Sequence, residues 1–266
     1  ISGAEWVNII LWEKGYDNKL DGKQLIYIDG EKPTQKVLEY ESKIEDKPKE
    51  IIELSKYVKQ QDFECLQSLT SAYKPYGLRT DVFQNFYKYN LSAMQTEKIH
   101  PTDIKIYGNK ESRFVPKDYN IPKLTKAFNK YKVFVPYAWG NMSKNAGLGG
   151  AYADIIIASP YEICTETYLE SGCFDDFKTA QKHAKYLLTK FARALLFLNK
   201  TSQHSTTAWG AVPVQDYHED WWDKSIAEID KELIKKYDVP SDIADFIDKN
   251  IQKKTEINII NFNNNN

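Results

Sequence analysis

One apolar stripe limits what this chain can fold into more than any other feature. Between Asp176 and Asn199, the residues Phe177, Ala180, Ala184, Leu187, Phe191, Ala194, Leu195 and Leu198 recur at the i, i+3, i+4 spacing that gathers side chains on one helix face. The spacing predicts a single long core helix, and a helix with one apolar face requires a second layer of structure to cover it. Asp175 or Asp176 supplies the N-cap oxygen for the first-turn amides. Lys178, Lys182, Lys185 and Arg193 fall off the stripe. They either reach phosphate groups or stand as solvated cations on the outer face, with their stems lying along the helix.

Around this helix the pattern is one of short strands and shorter helices. Val7 to Trp12 and Gln24 to Ile28 read as a β-hairpin with a long loop. Thr34 to Lys59 has a charged helical period interrupted at Pro48, which fits the first turn of a second helix with Ile51, Ile52, Leu54 and Val58 facing inward. A short helix over Asp62 to Leu69 ends at the Lys74-Pro75 and Tyr76-Gly77 pairs. Strands are expected at Ile104 to Tyr107, Arg113 to Val115, Val133 to Val135, Ile155 to Ile157 and Thr165 to Leu169. A helix is expected from Ile121 to Lys130, and a polar loop from Trp139 to Gly150. Lys224 to Tyr237 and Asp242 to Lys253 read as two further helices, with Ser241 capping the second. Short strands mixed with loops of this length favour an α+β fold over a doubly wound parallel sheet.

With 266 residues and 42% hydrophobic content, the chain can bury the core of one large domain or two modest ones. No apolar run reaches the roughly 18 residues of a membrane span. Three scattered cysteines, Cys65, Cys164 and Cys173, offer neither a disulfide framework nor zinc spacing, which fits a reducing cytoplasm. The net charge is −1, but it is segregated. Ala72 to Lys144 holds thirteen Lys/Arg against five Asp/Glu, whereas Ile1 to Glu50 holds eight against eleven and Thr201 to Asn266 seven against twelve. Such a distribution is expected of a polyanion-binding face on a nearly neutral protein, or of a solvated lysine-rich surface.

Several segments, in order along the chain, carry a resemblance. They are Tyr73-Lys74-Pro75-Tyr76-Gly77-Leu78-Arg79-Thr80, Lys132-Val133-Phe134-Val135-Pro136 and Cys164-Thr165-Glu166-Thr167-Tyr168-Leu169. The helix end Tyr186 to Arg193 follows, and then Thr201-Ser202-Gln203-His204 and Val212-Pro213-Val214-Gln215-Asp216. Together they resemble the C-terminal specificity region of adenine-specific DNA methyltransferases of type II restriction-modification systems, over roughly Ile1 to Asn250. The resemblance implies a hairpin and helical connector over 1–70 that closes the methyltransferase fold and a DNA target-recognition domain over 71–258, while the terminal Asn263 to Asn266 run reads as part of a disordered tail over 259–266. It implies double-stranded DNA as partner, alongside an upstream methyltransferase domain of the same bacterial, cytoplasmic polypeptide that holds S-adenosylmethionine. The family's [DNS]PP[YFW] tetrad and Gly-rich cofactor loop are not found. Their nearest counterparts, Ser159-Pro160-Tyr161 and Gly147-Leu148-Gly149-Gly150, read as turns. The expected fragment therefore carries no catalytic, cofactor or metal residues of its own.

Reading bases requires paired donors and acceptors on loops or helix ends, Arg or Lys for guanine and Asn or Gln for adenine. Three segments supply them: Lys74 and Arg79; Asn141, Ser143, Lys144 and Asn145; and Gln203, His204, Ser205, Thr206 and Thr207. Lys182 and Arg193 of the long helix add candidate phosphate contacts. The competing reading of Arg79 is an ion pair with Asp81, and that of His204 a capped turn. A restriction endonuclease domain that cuts with a divalent metal is the alternative function, although Glu162 is followed by Ile163-Cys164 where such a set, starting from Asp154, needs a lysine. Four histidines allow a Ser/His/Asp arrangement, yet no GxSxG elbow accompanies them. Six tryptophans and eighteen tyrosines raise a third class, a carbohydrate- or peptide-binding module, with Trp221-Trp222 the most exposed-looking pair.

Overall fold

The computed structural model describes residues 48–138, 154–199 and 208–263. The expected hairpin over Val7 to Ile28 and the helical pattern from Thr34 to Asp46 lie outside the described residues. Chain contacts separate Ile1–Asp46 from Lys47–Asn266, and the described residues all belong to the second unit. Its elements, in chain order, are α1 (Lys49–Lys59), α2 (Val82–Asn85), β1 (Ile104–Tyr107), β2 (Ser112–Val115), β3 (Tyr131–Pro136), β4 (Ile155–Ala158) and β5 (Ile163–Cys164). They continue with β6 (Tyr168–Phe174), α3 (Phe177–Leu188), α4 (Lys190–Asn199), α5 (Ile226–Lys236), α6 (Ser241–Asn250) and β7 (Ile259–Ile260).

A four-stranded sheet of order β6-β3-β4-β7 forms the middle layer, antiparallel except for the parallel β4/β7 pair. Successive side chains of a strand point to opposite faces. Val133, Val135, Ile155, Ile157 and Leu169 therefore enter one core, and Phe134, Ile156 and Ala158 enter another. The first core is helical, filled by Ile51, Leu54 and Val58 of α1, the stripe of α3 and α4, Ile226, Ile229 and Leu233 of α5, and Ile243 and Ile247 of α6. The second core is closed by a three-stranded sheet of order β2-β1-β5, through Ile104, Ile106, Val115, Ile163 and Cys164, together with Tyr76, Leu78, Val82 and Phe83. Strands covered on both faces read as unbroken apolar runs, which explains the sequences Val-Phe-Val and Ile-Ile-Ile-Ala. The architecture is α+β, with two small mixed sheets, as the short-strand pattern predicts.

The long apolar stripe is two helices rather than one. Thr189, at ψ 150°, leaves the helical region between α3 and α4. Its hydroxyl donates to the Tyr186 carbonyl at 2.6 Å and accepts the Ala192 N–H at 3.1 Å, so it caps α4. Asp230 of α5 accepts the N–H groups of Lys190 and Phe191, both at 2.9 Å. Three of the amides left without intrahelical partners at the start of α4 thus find acceptors. Burial pushes the Asp230 carboxyl up to about 6, against the pull of those two N–H groups. At the start of α3 it is Asp176 that caps, accepting the Thr179 N–H at 2.8 Å.

Other departures are local. Ile121 to Lys130 is irregular rather than helical, a series of turns that leads into β3. Thr165 to Thr167 is a turn, with strands on either side rather than through it. The expected helix over Asp62 to Leu69 is a single 3-10 turn, Leu66–Leu69. Pro240 rather than Ser241 stands at the N-cap of α6 and makes no side-chain cap. Ile259 and Ile260, placed by the sequence reading in the tail, add β7 to the central sheet, with Ile259 buried. No helix among the described residues is long and apolar enough to cross a membrane.

Asp230→Ala should lower unfolding free energy by about 1–2 kcal/mol in urea denaturation, because two amides lose their acceptor. Asp230→Asn, which keeps one oxygen, should cost less.

Candidate nucleic-acid interface

The turn Tyr73 to Thr80 is held onto β6 and the turn before it by two carboxylates, Glu170 and Glu166. The Tyr76 hydroxyl donates to Glu170, which also accepts from Thr125 at 2.9 Å. The Tyr73 hydroxyl donates to Glu166, and the same carboxylate accepts the Thr80 N–H at 3.1 Å and the Thr80 hydroxyl at 2.9 Å. Backbone bonds complete the seam: Glu166 N–H donates to the Leu78 carbonyl at 2.8 Å, and Ser71 N–H to the Glu170 carbonyl at 2.7 Å. Gly77, at φ +75°, closes the turn against Ile121 to Lys126. A Cβ there would stand 2.9 Å from the Pro122 Cβ, so both conformation and space call for glycine.

Cations gather on the Glu166 carboxylate. Lys74 Nζ lies 3.5 Å from Oε2, and Arg79 Nε 3.8 Å from Oε1. Burial alone would raise the Glu166 pKa, but the hydrogen bonds from Tyr73 and Thr80 and the Lys74 charge leave it below the usual carboxylate range. Burial, and then Glu166, push the Tyr73 hydroxyl up to about 12. Glu170 is more deeply enclosed, and burial raises its carboxyl despite the bonds from Tyr76 and Thr125.

The sequence-predicted site residues divide into three groups. Lys74 and Arg79 are brought together with the Cys164 to Leu169 segment, and the Arg79 side chain is 53% exposed. Its ion partner is Glu166 and not the Asp81 of the competing reading; the Asp81 carboxylate accepts from Tyr89 at 2.6 Å and Asn85 at 3.1 Å. Arg193 cannot touch phosphate. It is 2% exposed, its Nε donates to the carbonyls of Leu188 at 3.2 Å and Thr189 at 3.4 Å, and Nη2 donates to the Gln252 carbonyl. Lys182 is nearly enclosed as well, donating to the Tyr217 carbonyl at 2.9 Å, with Asp223 3.8 Å away. Asn141, Ser143, Lys144, Asn145, Gln203, His204 and Thr206 lie outside the described residues.

The strand leading into the Asn141 segment is nevertheless anchored at the same place. Tyr137, just beyond β3, donates its N–H to the Thr167 carbonyl at 2.9 Å, and its ring lies 4.5 Å from that of Tyr73. Sequence reasoning missed Lys123 and Lys126, which are exposed beside Leu124, itself 56% exposed, on the segment packed against Gly77. The central basic surplus also includes a cation that never reaches the surface. Lys132 donates to the carbonyls of Phe128, Lys130 and Ser159 at 3.2, 3.1 and 2.8 Å, and burial pulls its pKa down to about 8.

Three other arrangements lie elsewhere among the described residues. Ser171 Oγ and His183 Nε2 are 2.9 Å apart, with the Tyr217 hydroxyl 2.7 Å from Nδ1. Ser171 and His183 are fully buried and the third member is a tyrosine, so the open nucleophile and orienting carboxylate of a hydrolytic triad are both missing. Trp222, far from being exposed, is fully buried and donates Nε1–H to the Asp216 carbonyl at 2.7 Å, with the Trp221 ring tilted against it at 4.1 Å. A cleft of about 570 Å³ between α5 and α6 is lined by Asp230, Ile234, Ile247, Lys231 and Lys254, and the Lys190–Asp248 pair closes its rim at 2.6 Å. No group of three His, Cys, Asp or Glu side chains that could hold a metal ion occurs among the described residues. No family model, curated protein or solved structure matches the chain.

Desolvation lowers the His183 pKa from 6.5 to about 3. The unfolded chain thus binds the extra proton between those values, and stability from this group is lost as pH falls from 6.5 towards 3. Wild type should lose about 1.4 kcal/mol per pH unit more than His183→Gln in that window. Parallel urea titrations at pH 6.5, 5.5 and 4.5 measure the difference in slopes, in which the opposing contribution of Asp230 cancels.

Proposed function

We propose that this chain is the duplex-DNA target-recognition part of an adenine-specific DNA methyltransferase of a restriction-modification system. It would place one short sequence so that an upstream domain can extrude and methylate an adenine. The observation that carries the reading is the joining of two family-like segments, Tyr73 to Thr80 and Cys164 to Leu169, into one seam through Glu166, with Arg79 left exposed beside it. Arg79 offers the planar fork that suits guanine O6 and N7. Lys74, Lys123 and Lys126 offer phosphate contacts around it, which fix register without carrying sequence information. The segment containing Asn141, Ser143, Lys144 and Asn145 follows the anchored Tyr137 and is the candidate adenine reader.

Methyl transfer itself belongs to the upstream domain and its S-adenosylmethionine. Ser159-Pro160-Tyr161 does not fit the role of an adenine-gripping tetrad. Its Ser159 N–H is taken by the Glu162 carboxylate at 2.9 Å and its Ser159 carbonyl by Lys132 at 2.8 Å. No chemical step is assigned to residues of this chain.

A duplex enriched by the chain from a randomised pool should bind in a salt-sensitive way. Arg79→Ala should weaken that duplex about 10- to 100-fold while changing a shuffled duplex far less. Lys123→Ala should weaken both about equally and reduce the salt slope by about one. Fluorescence anisotropy over a salt series checks all three outcomes, and a chain that enriches no sequence and binds without salt dependence refutes the reading.

A further inference from the structure

Glu166 is a carboxylate set between two cations, Lys74 and Arg79. Its side chain is only 9% exposed and is fixed by three hydrogen bonds, from Tyr73, the Thr80 N–H and the Thr80 hydroxyl. Those bonds come from the turn that also carries Lys74 and Arg79, so the carboxylate moves with the cations it faces. Its Oε1 lies 3.8 Å from the Arg79 Nε, an ion pair with a guanidinium that stays 53% exposed. A fixed carboxylate at this distance attracts the guanidinium without occupying its donors, which stay available for bidentate recognition of a purine edge. The same fixed negative charge repels phosphate, which weakens indiscriminate attachment to any duplex.

We infer that Glu166 is a positioning residue for Arg79 that gives the surface its selectivity, by orienting the guanidinium and by opposing binding to phosphate alone. The inference rests on the duplex-recognition reading and deepens it. A residue that merely held the turn together would, when altered, weaken every duplex. Glu166 in the role inferred moves the two kinds of binding in opposite directions.

The test uses the whole 266-residue chain and two probes, a duplex that it enriches from a randomised pool and a shuffled duplex of the same composition. Glu166→Gln keeps the shape and one acceptor oxygen, replaces the other by an amide, and removes the charge. It should lower the enriched-to-shuffled affinity ratio about tenfold or more, tighten the shuffled duplex, and steepen the salt slope by about one. In an Arg79→Ala background the same change should lower the ratio no further, because the residue acts through Arg79. Arg79→Lys, which leaves Glu166 and the net charge intact, should lower the ratio without tightening the shuffled duplex. An unchanged ratio in Glu166→Gln, or equal weakening of both duplexes with a lowered melting temperature, overturns the inference and leaves duplex recognition standing. A wild-type chain that enriches nothing overturns duplex recognition itself.

Discussion

Burial of β3 and β4 on both faces is the constraint from which the rest of the structure follows. Each residue of these strands must be apolar or internally satisfied, since neither face meets water. Phe134 sits on the side of the smaller sheet, its ring 5.8 to 6.5 Å from those of Tyr76, Tyr107 and Tyr168, while Val133 and Val135 close the helical core on the other. The turn from Tyr73 to Thr80 belongs to the second core through Tyr76 and Leu78. The candidate recognition surface is thus fastened to a buried core, which suits a site that must hold side chains in fixed positions.

Charges enclosed by this packing find partners largely in the backbone. Lys132 meets three carbonyls, Arg193 meets three, and Asp230 meets two N–H groups. A buried charge left without partners is strongly destabilising, so these contacts are the condition for placing such residues inside. They also change the electrostatic reading. Net charge counted along the sequence treats Lys132 and Arg193 as surface cations, whereas the fold spends both as internal ties. The basic character of the outer surface near the turn comes instead from Lys74, Arg79, Lys123 and Lys126.

Glu166 and Glu170 give that surface its form. Spaced four residues apart, they receive the hydroxyls of Tyr73 and Tyr76, three residues apart on the turn. The two pairs differ in environment: Glu166 stays ionised beside two cations, and Glu170 is raised by burial. One carboxylate therefore shapes the field at the surface, and the other serves the packing beneath it.

Much of the fold was legible along the chain. The stripe from Phe177 to Leu198, the strands at Ile104, Val133 and Ile155, and the helices near Ile226 and Ile243 followed from periodicity, because burial of one face imposes a local repeat. The helix expected from Ile121 to Lys130 did not form, and no residue in that stretch signalled it. The break at Thr189 had no such signal, since the partner that stabilises it, Asp230, arrives from 40 residues away. The same limit applied to the site. The sequence determined which segments carry chemistry-bearing side chains, but charge and spacing do not say which of them face water. Tertiary structure alone decided that Arg193 lies inside and Arg79 outside, and that Glu166 joins Tyr73, Lys74, Arg79 and Thr80, because contacts between residues 86 apart depend on how layers pack and not on local pattern.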